Sequence, residues 1–340
     1  KDNVQSNNTA VGRVALTDNT SGQYNTAIGD GSLDGNTTAS YNTAVGHQSL
    51  SGVNTGAYNV AIGNQALETN TSGHTNTAVG YHALRLNTTG YNNVAVGASD
   101  NTSVGAPLGA NTEGRNNIAI GRGALKANTT GKNNVSLGDD ALGANTTGSS
   151  NVAYGSNSLK ANTTGSENTL VGRQAQLSVT TGTQNTALGY NALAANTTTS
   201  YNTAVGRDAL ISNTTASNNT AVGHEALELN TSGANNVAVG RQALEANTTG
   251  TTNVAVGYYA GLQNTTGNCN VSLGVASNQN TSTGSNNTAI GHVALLSNTT
   301  ASNNTAVGGF ALCSNTTGAT NVAVGYLSLL CNTTGTDNVA

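Results

Sequence analysis

The sequence predicts an all-β chain: a parallel β-solenoid, or β-roll, of about twenty coils drawn out into one elongated rod. Three observations predict it. The first is a sentence, Asn-[Thr/Val]-Ala-[Val/Ile]-Gly-x-x-Ala-Leu-x-x-Asn-Thr-Thr-Gly-x-x, that recurs along the whole chain. Its anchor glycines, Gly12, Gly29, Gly46, Gly63 and onward to Gly325, fall 17 residues apart, with one interval of 24 between Gly97 and Gly121. The second is that β-branched residues return at fixed places within this period, which a disordered polar chain would not require. The third is that a unit with two glycines and several Asn and Thr has poor helix propensity.

Each part of the coil follows from its residues. In Asn42-Thr43-Ala44-Val45-Gly46 the period of two sends Thr43 and Val45 to one face and Ala44 to the other. We read the larger residues as the core, so this strand turns its Val/Ile/Leu row inward. The Ala-Leu pair that follows, such as Ala83-Leu84, supplies a second apolar side. Asn-Thr-Thr-Gly, as in Asn128-Thr129-Thr130-Gly131, supplies a turn whose glycine is free to take positive φ. The strictest row is the Asn before each strand: Asn8, Asn25, Asn42, Asn59, Asn76, Asn93, Asn117, Asn134 and onward to Asn338. Coils stacked at about 4.8 Å would let each amide donate to one neighbour and accept from the other, a structural ladder. Twenty coils make a rod on the order of 95 Å long. The opposite row, Ala10, Ala27, Ala44, Ala61, Ala78 and Ala95, then forms a flat surface of small residues suited to close packing against a second chain.

Residues 1–340 read as one continuous repeat domain. The chain stops at Asn338-Val339-Ala340, inside the motif, and we expect it to be a segment of a longer protein. Charged residues make up only 8%, the net charge is −4 without a basic run, and there is one proline. That balance argues against nucleic acid as a partner, and no apolar stretch reaches the roughly 20 residues that span a bilayer. The regular pattern breaks at 98–120. Asn101-Thr102-Ser103-Val104-Gly105 resembles a strand start arriving early, and Pro107 follows it. Proline removes a ladder donor, so an extra loop or partial coil is expected to protrude near 98–112, with Pro107 as a candidate binding position.

The search for chemistry finds no cluster that departs from the repeat. His47, His74, His82, His224 and His292 are scattered without metal or dyad spacing. No Ser/His/Asp set, phosphate loop or calcium nonapeptide occurs, so we expect no enzyme, no cofactor and no resident metal. The residue after the anchor Gly varies among Arg, His and Tyr (Arg13, His47, Tyr81, Arg122, Arg173, Tyr190), as a solvent-facing row would. Tyr24, Tyr41 and Tyr58 share one column on three successive coils, which reads as a structural stack or as a row able to grip a sugar. Cys313 and Cys331 lie one position apart on adjacent coils. A bridge and free thiols both remain open there, as for the lone Cys269, although neighbouring strand positions point to opposite faces.

With instances such as Asn202-Thr203-Ala204-Val205-Gly206-Arg207-Asp208-Ala209-Leu210, the repeat resembles the head repeats of trimeric autotransporter adhesins and the repeat shafts of phage tail fibres. Adhesin heads use shorter coils than this chain. The resemblance implies a parallel homotrimer that carries or performs attachment, placed outside the cell, on its surface or on a virion. A host-surface glycan or receptor is the implied outside partner. The rival reading is a ligand-binding solenoid with a glycan- or ice-binding surface.

Overall fold

The computed structural model describes residues 7–53, 55–99 and 105–340. Its described residues are all-β: nineteen parallel strands of a β-solenoid, each three residues long, recurring every 17 residues or so, without a helix. The chain divides into two compact units, residues 1–169 and 170–340. The first carries strands from β1 (Thr9–Val11) to β9 (Val152–Tyr154), the boundary falls within β10 (Thr169–Val171), and the second carries β11 (Thr186–Leu188) to β19 (Val322–Val324). Register is in step with the repeat. In the first unit Thr43, Ala44 and Val45 pair with Val60, Ala61 and Ile62, and in the second Thr203, Ala204 and Val205 pair with Thr220, Ala221 and Val222.

The faces of the strand are the reverse of the sequence expectation. Ala44, Ala61, Ala78, Ala204 and Ala221 are fully buried, while Thr43 and Val45 are only part-buried and Ile28, Ile62, Leu188 and Val256 are exposed. The cause is the narrowness of the coil. Leu67 or Leu210 reaches in from the opposite wall and is itself fully buried, so the strand has room only for a methyl beside it. The core of a coil is therefore two alanines and one leucine, not a Val/Ile/Leu layer. The flat Ala surface expected to meet a second chain lies inside, and the Val/Ile row lies outside.

The remaining interior is amide. Asn42 donates its backbone N–H to the Asn25 Oδ1 at 2.9 Å, and its own Oδ1 accepts the N–H of Asn59 at 2.9 Å. Its Nδ2 donates to the Gly56 carbonyl at 2.9 Å. Both side-chain bonds thus reach forward to the next coil and only the backbone reaches back, whereas the sequence suggested one amide bond in each direction. The second unit repeats this at Asn219, whose Nδ2 holds the Gly233 carbonyl while its Oδ1 accepts from Asn236, each at 2.9 Å. From Asn93 through Asn117 and Asn134 to Asn151 the Nδ2 also lies 3.2 Å from the preceding Oδ1. A second buried Asn column arises from the turn motif. Asn87 Nδ2 donates to Asn70 Oδ1 at 2.8 Å, and Asn247 Nδ2 to Asn230 Oδ1 at 2.7 Å.

Glycine recurs at two places in the coil, for different reasons, and the second admits Ala39, Thr199, Ala216 and Ala301 in its stead. The anchor Gly46 sits at φ +133, and a Cβ there would lie 2.5 Å from the Gly63 carbonyl oxygen. The turn glycine, expected at positive φ, does not take it. A Cβ at Gly131 would instead press on the Asn128 amide oxygen and on the Gly148 carbonyl. Positive φ falls on non-glycine positions, such as Leu67 at +55 and Tyr58 at +61, where packing and inter-coil hydrogen bonds outweigh a modest local strain.

The coil that breaks the repeat is seven residues longer, its ladder partners being 24 rather than 17 apart. Residues 100–104, within the expected protruding segment, lie outside the described residues. The regular path is resumed by Gly105, whose carbonyl accepts from Gly123 at 2.8 Å. Pro107 is not on a loop. It is buried at the Ala place of the Ala-Leu pair, its carbonyl accepting from Leu84 N–H at 3.0 Å, with Leu108 buried beside it. The N–H that proline lacks is one that closes only a weak turn within the coil, 3.3 Å at both Ala83 and Ala124, so no inter-coil bond is lost. Buried there, Pro107 offers no binding surface, and the irregularity does not extend to 112 or 120.

Two results follow from this interior. Replacing Asn134 with Ala orphans the buried Asn151 N–H and leaves the Gly148 carbonyl with the Asn145 amide as its one side-chain donor, and should cost about 2 kcal/mol or more in denaturant unfolding, against under about 0.5 kcal/mol for Thr130→Ala on the surface. Gln176 takes the Leu place of its coil, fully buried, with neither amide atom partnered. Gln176→Met keeps the shape without the amide and should raise the melting temperature.

Candidate interaction surfaces

With Asn and Ala turned inward, the strand presents two outward rows. One is Thr, Val or Ile, as at Thr203, Thr220, Val237 and Val254; the other is Val, Ile or Leu, with Tyr154 as an exception. Neither row holds a charged or amide side chain in any of the nineteen strands. Coils about 4.8 Å apart bring equal residues into register, so each unit exposes a flat, uncharged, β-branched face. Leu188 is 46% exposed and Ile62 40%.

The three tyrosines of one column do stack. Ring centroids are 4.9 Å apart for Tyr24 and Tyr41 and 5.0 Å for Tyr41 and Tyr58, with planes 8° and 3° from parallel. Each inner ring face is covered by its neighbour, leaving edges and hydroxyls outward. A sugar needs an open ring face, so this arrangement is a ladder and a poor grip. Further along, the same column becomes an exposed amide ladder, Asn92 to Asn116 to Asn133, at 3.1 Å per step. The anchor glycines Gly12, Gly29, Gly46 and Gly63 and the Asn rows are taken up by the frame itself, and sequence reasoning missed the second Asn column because its turn role accounted for it.

The row after the anchor Gly faces solvent, with Arg13 and Arg122 paired to Asp30 and Asp139 on the next coil at 2.9 Å. No group of three potential metal ligands occurs among the described residues. His82 is buried and its Nε2 lies 2.7 Å from Gln65 Oε1; burial, with Arg85 nearby, holds its pKa below the ordinary histidine value. Cys269, Cys313 and Cys331 are unbridged thiols.

Charge is arranged differently in the two units. In the first, Asp140 lies between Lys126 at 2.8 Å and Lys160 at 3.2 Å. Burial pushes its carboxyl up, but the two lysine hydrogen bonds outweigh that and hold it below the usual carboxylate range. In the second, Glu228 and Glu245 occupy one column on adjacent coils. Burial and then the Glu225 carboxylate raise both.

The sign of the pH response differs accordingly. A depressed carboxyl such as Asp140 stabilises above its unfolded pKa, near 4, and that contribution is lost as pH falls through the lower folded value. A raised carboxyl such as Glu228 opposes folding once ionised, and the penalty is relieved on acidification. Asp140→Asn should therefore lower the melting temperature at neutral pH and Glu228→Gln should raise it, both differences narrowing as the pH falls and the Glu228 difference closing first. Thermal melts from neutral to acid pH check the pair. Neither a protein-family model nor a curated protein matches this chain, so the functional reading rests on its own surfaces.

Proposed function

We propose that this chain is a non-enzymatic structural segment of an attachment fibre, borne outside the cell or on a virion, whose strand faces pack against copies of the same chain. The observation that carries this reading is the outward strand face: two rows of Thr, Val, Ile and Leu, in register and free of charge. Soluble monomers rarely leave a contiguous apolar patch beyond a few hundred Å² uncovered, and a periodic flat face is best covered by another of the same period. The resemblance of the repeat to adhesin heads and tail-fibre shafts adds three parallel chains as the expected number.

Sedimentation equilibrium tests it. The chain should run at three times its mass, and Val205→Lys with Val239→Lys should reduce it to a monomer with an unchanged far-UV spectrum. A wild-type monomer at micromolar concentration contradicts the assembly.

A second reading is favoured by the threonines of the same face. Thr203 and Thr220, in register on neighbouring coils and two residues from Val205 and Val222, form a regular array of hydroxyl and methyl groups of the sort that orders water against ice. Inhibition of ice recrystallisation that Thr203→Lys abolishes supports it, and no inhibition by the wild-type chain dismisses it.

A further inference from the structure

The second unit changes character on the side of the coil that follows the anchor Gly. At Arg207-Asp208, His224-Glu225 and Arg241-Gln242 this side is polar and charged, with Glu228 and Glu245 three residues further on. Then the charge stops. From Ala246 to Thr336 the sequence has no Asp, Glu, Lys or Arg. The same positions become Tyr258-Tyr259, Val275-Ala276, His292-Val293, Gly309-Phe310 and Tyr326-Leu327, and the glutamate column becomes Leu262, Gln279 and Leu296. Tyr258, Val275, Tyr326 and Leu327 are exposed.

The rings are not stacked as Tyr24, Tyr41 and Tyr58 are. His292 meets Phe310 at 5.3 Å and 68°, and Phe310 meets Tyr326 at 6.1 Å and 90°. Edge-on contacts leave ring faces at Phe310 uncovered, while nearer the charged coils Tyr258 and Tyr259 lie 3.8 Å apart at 32° with Arg241 over Tyr258. Beside this column, where the charge ends, lies a cavity of about 300 Å³ lined by Glu245, Ala246, Leu262, Gln263, Thr265 and Ser282. Leu262 belongs to the same coil as Tyr258 and Tyr259, and its N–H donates to the Tyr259 carbonyl.

The hydrogen-bonding capacity of the lining is one-sided. Thr265 Oγ1 already donates to the Ser282 carbonyl at 2.9 Å, and Ser282 Oγ to the Thr299 carbonyl at 3.2 Å. With those protons committed, both hydroxyls turn lone pairs to the cavity, as Glu245 does with its carboxylate. Gln263 adds an amide that both donates and accepts. An acceptor-rich wall over an apolar floor of Ala246 and Leu262 suits a ligand with many O–H donors and an apolar face. The Glu245 carboxylate in the wall disfavours an anionic one.

We infer that this cavity and the aromatic column beside it form a binding site for neutral saccharides. A pyranose lays its C–H face on Leu262, gives its hydroxyl protons to Glu245, Thr265 and Ser282, and receives one hydrogen bond from Gln263. Further sugar units run along the open rings toward Phe310 and Tyr326. The inference rests on the cavity and not on the strand-face assembly, since the two lie on different sides of the coil.

The test is an array of neutral, sialylated and sulfated oligosaccharides probed with the whole chain. Neutral glycans should bind, and Gln263→Ala, an exposed change that leaves the core untouched, should weaken them about tenfold or more on the same array, as should Leu262→Asp. Tyr24→Ala should bind as the wild type does. Silence toward neutral glycans, binding confined to the acidic ones, or binding indifferent to Gln263→Ala each overturns the site. Capture of unglycosylated peptides in place of glycans does so too. Sedimentation of the same samples keeps failure here separate from failure of the assembly.

Discussion

The structure depends on the amide of one asparagine per coil. A coil of 17 residues encloses too little space for a conventional apolar core, so the stacked chain must be held by hydrogen bonds that are sheltered from water. The Asn42 side chain supplies two of them, one to the backbone N–H of Asn59 and one to the Gly56 carbonyl, and the same pair recurs at Asn219 in the second unit. In a buried setting such bonds matter most for what their loss would leave behind, namely an unpaired backbone N–H. The rest follows from fitting around these amides: Ala rather than Val on the inward strand position, Gly where a Cβ would meet the next coil, and a single Leu across the middle.

The departures from the repeat obey the same constraint. Pro107 is accepted because the N–H it gives up serves no inter-coil bond. Val53 and Val179 stand in the second Asn column, buried and apolar, where the first column alone carries the ladder. Around Asn278 the Leu column is lost. Gly261 and Asn278 occupy two successive Leu places, with Ser272, Ser277 and Thr281 buried about them, and an apolar cluster is next found from Ala289 onward. This polar stretch of core lies within the coils that carry the cavity and the uncharged face, so one part of the second unit differs from its neighbours both inside and out.

Much of this was legible in the sequence. The period gave the coil, the β-branched columns gave the strand, and the invariant Asn gave the ladder. The orientation of the strand was misread because hydrophobicity alone assigned Val45 inward over Ala44. A better signal was present: Asn42 and Ala44 share parity on the strand, so an Asn row that must be sheltered to hold its bonds carries Ala inward with it and turns Thr43 and Val45 out. The second Asn column was hidden by its dual use, since Asn87 both shapes a turn and donates across coils. Stacking of Tyr24, Tyr41 and Tyr58 could be read from their common column. Which ring faces stay open could not, because side-chain tilt at Phe310 and Tyr326 depends on unlike neighbours.

Everything proposed for the strand face requires that Ala be inside and Val outside, and thiol chemistry reads this directly. In a chain whose Cys269, Cys313 and Cys331 are changed to serine, Ala204→Cys and Val205→Cys each place one thiol on the same strand. The account predicts that the Val205→Cys thiol reacts with a soluble maleimide or, on oxidation, bridges one chain to another, while the Ala204→Cys thiol does neither until the protein is unfolded. Rapid labelling or inter-chain bridging at Ala204→Cys, with Val205→Cys silent, would contradict it.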